Sequence, residues 1–219
     1  MQKPIKTELV KEHNAVRFFY PDNKIKEYYI KGSIVWPEKH YAGYALIGGQ
    51  DLDDKSIWIF EEWSFYGVRY KLYEENIEGK IIDVHDRGLI SFFDKAWEKY
   101  FCRTFYVIAN QKVHKHWRLQ IHREFLIDPK PYFPKVELPE EGEGVDNLII
   151  SYGRNERLKI PADMELLREI EAISDPSELE GKIKTFSETA QALQALRCLL
   201  AGFEKAPWRM PAEEDEDEI

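Results

Sequence analysis

The chain has 219 residues, of which 43% are hydrophobic and 14% aromatic. This composition excludes an intrinsically disordered chain and supplies enough apolar side chains for one sizeable core or two small ones. The formal net charge is −9, but six of the acids lie in Glu213–Glu218, and the rest of the chain carries only −3. Acidity therefore does not exclude a nucleic-acid partner.

Two features predict a cytoplasmic protein that does not enter a membrane. No run approaches the ~18 apolar residues that a spanning helix needs, and residues 1–13 contain no apolar segment typical of a secretory signal. Cys102 and Cys198 both lie in apolar segments, which favours buried free thiols and a reducing compartment.

The first half of the chain is rich in predicted strands. Two apolar runs, 42–49 and 56–63, flank a polar hinge at 50–55. In the second run isoleucines alternate with Trp58 and Phe60, which predicts a central strand that is covered on both faces. The other predicted strands of this half are 16–20, 26–36, 69–73 and 80–84.

Helices become frequent in the second half. Apolar residues recur at helical spacing over 89–101, which predicts an amphipathic helix with Asp86 as its cap. A four-residue apolar spacing that starts at Val113 predicts a second helix, which Pro129 must end. The remaining predicted elements are a strand at 104–109, a loop at 129–146, a strand at 147–152, a helix that starts at Pro161 and a helix at 187–203.

This order of elements predicts one α/β domain over residues 16–205. Its sheet is expected to be mixed, with an antiparallel, strand-rich first half and helices packed on its faces. Residues 1–15 are expected to form a flexible arm or a short helix. Residues 206–219 contain the low-complexity acidic run and are expected to form a disordered tail.

The layout resembles the ribonuclease-H-like fold, in particular the C-terminal nuclease domain of tailed-phage large terminase subunits. The resemblance spans residues 28–203. The local similarity is closest in the segment RLKIPADMELLREIEAI followed by SETAQALQALRCLLAGFE. It implies a metal-dependent endonuclease that hydrolyses DNA with two Mg²⁺ or Mn²⁺ ions held by carboxylates. It also implies a place in phage DNA packaging beside a separate packaging ATPase or other phage proteins, because the chain has no GxxxxGK[ST] loop.

The resemblance assigns catalytic roles to two acids. Asp51, at the end of an apolar run, matches the first acid of the family, with Asp53 and Asp54 as competitors for the place. Glu188, near the start of the last helix, matches the closing acid. Asn110 stands where the family places a middle carboxylate, so either the register differs, Asp86 or Glu62 substitutes, or the site is degenerate. The metal ligands expected on this basis are Asp51, Asp53, Asp86 and Glu188.

Each of these acids also has an explanation without catalysis. The acids of 51–54 are typical of a solvated turn. Glu188 is favoured in a first helical turn by the helix dipole. Glu61 and Glu62 are less usual, since neighbours in a strand point to opposite faces and one of them must face inward or line a cleft. Histidines and acids at 83–86 and 114–116 match no strong metal-binding spacing.

A basic segment provides an independent indication. Between Lys99 and Lys135 eight basic residues face only two acids, Glu124 and Asp128. One row of the predicted helix carries His114, Arg118 and His122 at a spacing of four residues. This row could contact phosphates. A solvated helix face is the alternative. The residues expected to bind nucleic acid are Lys112, Lys115, Arg118, His122 and Arg123.

Three functions therefore stay open at the level of sequence. The first is the two-metal DNA nuclease. The second is a non-catalytic binding or assembly module of a phage or mobile element on the same ribonuclease-H-like scaffold, which Asn110 favours. The third is an unrelated α/β protein that acts on a small molecule, although the chain has no dinucleotide-binding loop and no G-x-S-x-G motif.

Overall fold

The computed structural model describes residues 4–11, 14–37, 42–75, 81–107, 111–137, 148–171 and 191–205. Ten strands and five helices lie within these ranges. The strands are β1 Lys6–Val10, β2 Ala15–Phe19, β3 Ile25–Val35, β4 Gly43–Asp51, β5 Ile57–Phe65, β6 Lys71–Glu75, β7 Ile81–Asp86, β8 Thr104–Val107, β9 Lys135–Glu137 and β10 Leu158–Lys159. The helices are α1 Leu89–Tyr100, α2 Gln111–Ile127, α3 Leu148–Arg154, α4 Glu165–Glu171 and α5 Gln191–Lys205.

Eight of the strands form one mixed, mostly antiparallel sheet around β3. The antiparallel strand β4 pairs with β3 from Tyr28 to Val35. On the other side of β3, the first half pairs with β2 and the second half pairs in parallel with β8. Strand β9 extends β8 in parallel, and β10 adds to β5 at the opposite edge. The expected α/β class with a mixed sheet and packed helices is confirmed.

The two apolar runs form the centre of this sheet, as the sequence predicts. Every residue of β4 is buried. In β5, Ile57 and Ile59 pack on one face of the sheet, whereas Trp58 and Phe60 pack on the other. A β-bulge opposite Ile47 and Gly48 shifts the register, and beyond it the alternation of faces in β5 is reset.

Each face of the sheet has its own apolar core. Helices α1 and α2 cover one face through an aromatic-rich cluster, in which the indole of Trp117 stacks on that of Trp36 at a centroid distance of 5.4 Å. Helices α3, α4 and α5 cover the other face. Both cysteines are buried and free, as expected. Within the described ranges, no helix is both long and apolar enough to cross a membrane.

Several expected elements differ from the structure. Residues 6–10 are not part of a loose arm: they form β1, which pairs with β2 as a half-exposed edge strand and so carries little apolar signal. The run expected as a strand at 147–152 is helix α3, with Ile149 and Tyr152 buried three residues apart. The expected loop at 129–146 contains β9, and its residues 138–146 lie outside the described residues.

Helix α1 is present as predicted, but Asp86 is not its N-cap. Strand β7 continues to Asp86, and the N-cap is Gly88, which has an extended backbone and makes no side-chain cap. The Asp86 carboxylate instead accepts a hydrogen bond from the Gly88 amide at 2.9 Å. The expected tail at 206–219 and the first turn of the helix expected from residue 187 lie outside the described residues.

Candidate nucleic-acid interface

Asp51 ends β4, as predicted, but its carboxylate is already engaged. The side chain is fully buried and forms an ion pair with the ammonium of Lys26. Its other oxygen accepts a hydrogen bond from the Asp53 amide at 3.0 Å. Burial lowers the pKa of Lys26, but the hydrogen bond and charge of Asp51 outweigh this effect and leave that pKa raised. Asp51 therefore organises the chain between β4 and β5.

The next two acids belong to the same turn. The Asp54 carboxylate accepts a hydrogen bond from the Ser56 amide at 2.8 Å. The pKa of Asp54 is lowered, mainly by a hydrogen bond with the Ser56 side chain and less by this amide contact. Asp53 is exposed. Lys55 has a φ of 60°, in the left-handed region that tight turns use. Asp53 and Asp54 thus lie in the solvated turn that the sequence left open as an alternative, whereas Asp51 is buried beside it.

The structure does not bring Asp51 to the end of β8. Asp51 pairs with Tyr28 at the start of β3, whereas Val107 pairs with Ile34 near its end. These two positions on β3 are six residues apart, which corresponds to about 20 Å along an extended strand. The strand end before Asn110 and the Asp51 turn therefore lie at opposite ends of β3. Asn110 itself is outside the described residues.

Asp86 is also remote from Asp51. Asp51 lies beside the start of β5, because Gln50 pairs with Ile57. Asp86 lies beyond the other end of β5, next to the bridge between Gly67 and Gly88. The nine residues of β5 span about 26 Å. Glu188 lies outside the described residues, and within them no group of three or more histidine, cysteine or acidic side chains is placed to hold a metal ion.

Glu61 and Glu62 point to opposite faces, as expected, and each has a structural role. The Glu61 carboxylate accepts hydrogen bonds from the ammonium groups of Lys95 and Lys99 on α1, at 2.8 and 2.7 Å. Burial raises the pKa of Glu61, but the two lysines outweigh it and leave that pKa lowered. Glu62 accepts the amide of Glu165 at 2.7 Å and so caps the start of α4.

A buried lysine, which no sequence pattern marks, occupies the crossing of β3, β8 and α5. Lys31 is 1% exposed. Its ammonium donates to the Gly202 carbonyl at 2.6 Å and lies 3.2 Å from the Tyr106 hydroxyl. The rings of Tyr29, Tyr106 and Phe203 surround it, with centroids at 4.9–5.5 Å. Cation–π contacts of this kind stabilise a desolvated cation.

A cleft of about 1100 Å³ lies between α2 and β9. His114, Arg118 and His122 all line it, so the predicted helical row does face one common space. Lys115 lines the same cleft. Lys112 and Arg123, also expected to bind nucleic acid, are exposed on α2 outside the cleft lining. The rest of the lining is Leu119, Ile121, Phe133, Pro134, Lys135, Val136 and Glu137.

The acids near this surface pair with cations other than Lys115 and Arg118, and on the cleft wall Glu137 pairs with Lys135 at 2.5 Å. Glu124 and Asp128 both contact the guanidinium of Arg69, at 2.5 and 3.7 Å. In the part of the chain that the structure describes, neither Lys115 nor Arg118 forms an ion pair. Glu124 thus pairs with another element, and Asp128 is shared between Arg69 and Lys130, at 3.2 Å from the Lys130 ammonium. Helix α2 still presents Lys115 and Arg118 to solvent.

His114 differs from the other members of the row because it is buried. The side chain is 7% exposed, and among the described residues its Nδ1 has no hydrogen-bond partner. Burial, followed by the charge of Arg118, lowers the pKa of His114. A lowered pKa keeps the imidazole neutral at neutral pH, so that one ring nitrogen can accept and the other can donate a hydrogen bond. A residue that lines the cleft therefore holds a buried polar atom that has no partner among the described residues.

Comparison with known proteins identifies no relative. The chain matches no family model, no curated protein and no solved structure.

Proposed function

We propose that this chain is a non-catalytic, nucleic-acid-binding module, and that the cleft between α2 and β9 is its binding surface. The observation that carries the proposal is the pair of exposed cations on the cleft wall, Lys115 and Arg118, which form no ion pair with any described residue. Cations that are free of internal partners can neutralise phosphates and release their counterions, which is the main source of affinity for nucleic acid.

The strand order supports a ribonuclease-H-like scaffold for this module. The path β5-β4-β3-β8-β9 places an antiparallel group next to a parallel pair, and helices α1 and α2 precede and follow β8. This matches the antiparallel group, helix, strand and helix of the layout on which the resemblance rests, although the strand expected at 147–152 is α3. A role in phage DNA packaging, the ATPase partner and a cytoplasmic location remain predictions that belong to this same proposal.

Lys31 supports the absence of catalysis at the centre of that scaffold. The resemblance places catalytic acids on a first strand, on the strand after the helix and on the closing helix. In this chain the parallel pair β3 and β8 meets α5 at Lys31, where an ammonium contacts a tyrosine hydroxyl and a backbone carbonyl. A fixed cation in a low-dielectric environment repels a second one, so this crossing favours no divalent metal.

The first test is DNA binding by fluorescence anisotropy with a labelled oligonucleotide. Lys115→Glu should weaken binding roughly three- to ten-fold, because it replaces a phosphate-contacting cation with an anion. Lys159→Glu is the matched control: it makes the same charge reversal on β10, at the opposite edge of the sheet from β9. Equal losses in the two variants would show that only net charge matters and would contradict the assignment of the cleft.

The same strand order also favours the metal-dependent nuclease, and this is the second candidate. It is tested on the wild-type chain by plasmid cleavage with Mg²⁺ or Mn²⁺ and with a chelator as control. Asp51→Ala is a poor probe of catalysis, because it leaves the Lys26 ammonium without its carboxylate partner. Chelator-sensitive cleavage would replace the non-catalytic proposal. Binding without cleavage is the result that we expect.

A further inference from the structure

The α2–β9 cleft combines its cations with apolar side chains that are open to solvent. Leu119 is 60% exposed and Phe133 is 51% exposed, and both line the cleft. Exposed apolar side chains make no favourable contact with the outside of a duplex, because the accessible groups there are charged phosphates. They can pack on unpaired bases, because each base has an apolar face.

Phe133 is held in place rather than loosely exposed. Its ring makes edge-to-face contacts with Phe125 at 5.2 Å and with His122 at 5.7 Å. The buried Pro134 follows it and restricts its backbone to an extended conformation. A ring that is fixed before binding loses little conformational entropy when a base stacks on it.

The polar part of the cleft complements a base as well as a phosphate. The buried Nδ1 of His114 has no hydrogen-bond partner among the described residues, and this side chain lines the cleft together with Arg118. The edge of an unpaired base offers donors and acceptors that a base pair would occupy. In a duplex these groups are already paired, so polar side chains of the cleft can bond them only in a single strand.

We infer that the α2–β9 cleft selects single-stranded over double-stranded nucleic acid, with a base stacked on Phe133 and with phosphates bound by Lys115 and Arg118. This inference rests on the proposed function and adds its substrate class. The cleft volume of about 1100 Å³ slightly exceeds the usual range of roughly 300–1000 Å³ for small-ligand pockets, which leaves room for splayed nucleotides.

The experiment compares single-stranded DNA with the same sequence as a duplex, by fluorescence anisotropy on the full chain. The wild type should bind the single strand at least ten-fold more tightly. Phe133→Ala should lose roughly ten-fold for the single strand, as expected for one stacked base, and little for the duplex. Tyr66→Ala is the matched control, since Tyr66 is a 55% exposed aromatic residue outside the cleft lining.

Phe133→Leu distinguishes loss of stacking from loss of folding. Leucine preserves apolar packing against Phe125 but has no aromatic face, so a stacking role predicts a loss close to that of Phe133→Ala, with unchanged circular dichroism. Wild-type affinity in Phe133→Leu would overturn the stacking role.

Failure of this inference is distinguishable from failure of the proposed function. Equal affinity for both forms of DNA, insensitive to Phe133 but weakened by Lys115→Glu, would overturn strand selection and leave nucleic-acid binding intact. No binding of either form would overturn both. Polyglutamate that competes as well as single-stranded DNA of equal charge would overturn the inference in favour of an acidic peptide ligand.

Discussion

Asp51 and Lys31 are buried charges whose partners come from distant parts of the sequence. Asp51 was correctly predicted to end a buried strand, but a carboxylate at a strand end looks the same in sequence whether it binds a metal or a lysine. Its partner, Lys26, lies 25 residues away and reaches Asp51 only because β3 pairs with β4 in one particular register. Lys31 was missed for the same reason: its contacts come from β8 and α5, distant in sequence.

Glu169 gives a pH-dependent prediction at this scale. Burial raises the pKa of Glu169 from 4.5 to about 7, and the charges of Glu165 and Glu62 act in the same direction. Between pH 4.5 and about pH 7, the folded state therefore binds more protons at Glu169 than the unfolded state does. Because of this difference, the free energy of unfolding falls as the pH rises through that range.

Glu169→Gln removes that titration. We expect the variant to be more stable than the wild type at about pH 8, by up to about 2 kcal/mol after allowance for solvent screening, and to differ little at about pH 5. Urea unfolding at the two pH values measures this, with the exposed Glu171→Gln on the same helix as control. A difference between Glu169→Gln and the wild type that does not change with pH would contradict the linkage.

Elements were predictable where their apolar pattern was long. Helix α2 has 17 residues and four positions in its stripe, of which Ile121 and Phe125 are buried as expected. Helix α3 has only seven residues, and a short apolar run fits a buried helix as well as a strand. Strand β1 was missed because an edge strand needs few apolar residues. Both faces of β5 were read correctly from their alternation.

The packing of α5 on the sheet gives a prediction at the scale of elements. A Cβ at Gly202 would lie 2.3 Å from the ring of Tyr106, so only glycine permits this close approach. The Tyr106 hydroxyl contacts the Lys31 ammonium, which restrains any movement of the ring. Gly202→Ala should therefore destabilise the protein by about 1–3 kcal/mol, the usual cost of overpacking.

Gly153→Ala is its control. Gly153 also lies in a helix, but a Cβ there would meet nothing within 4 Å. This substitution should be neutral or stabilise by up to about 1 kcal/mol, because alanine favours the helix. Chemical denaturation of both variants checks the pair. Equal effects would show that helix propensity rather than the contact with Tyr106 decides the outcome.

The whole molecule separates its charges. The sequence is acidic overall, with a net charge of −9, yet α2 presents cations beside an open cleft. The basic row was predictable because it lies on one helix. The cleft was not, since its other wall, β9, comes from a segment that resembles an irregular loop in sequence. Phe133 and Lys135 became candidate site residues only once β9 was placed beside β8.

The salt dependence of DNA binding tests the central claim most directly. Each phosphate contact to a single strand contributes about −0.7 to the slope of log affinity against log salt. Replacing Lys115 and Arg118 together by glutamine should therefore make the slope shallower by about 1.4. The control replaces Lys24 and Lys159 by glutamine, which removes the same charge outside the cleft lining, and it should keep the wild-type slope. Identical slopes in all three proteins, or no measurable binding by the wild type, would contradict nucleic-acid binding in this cleft.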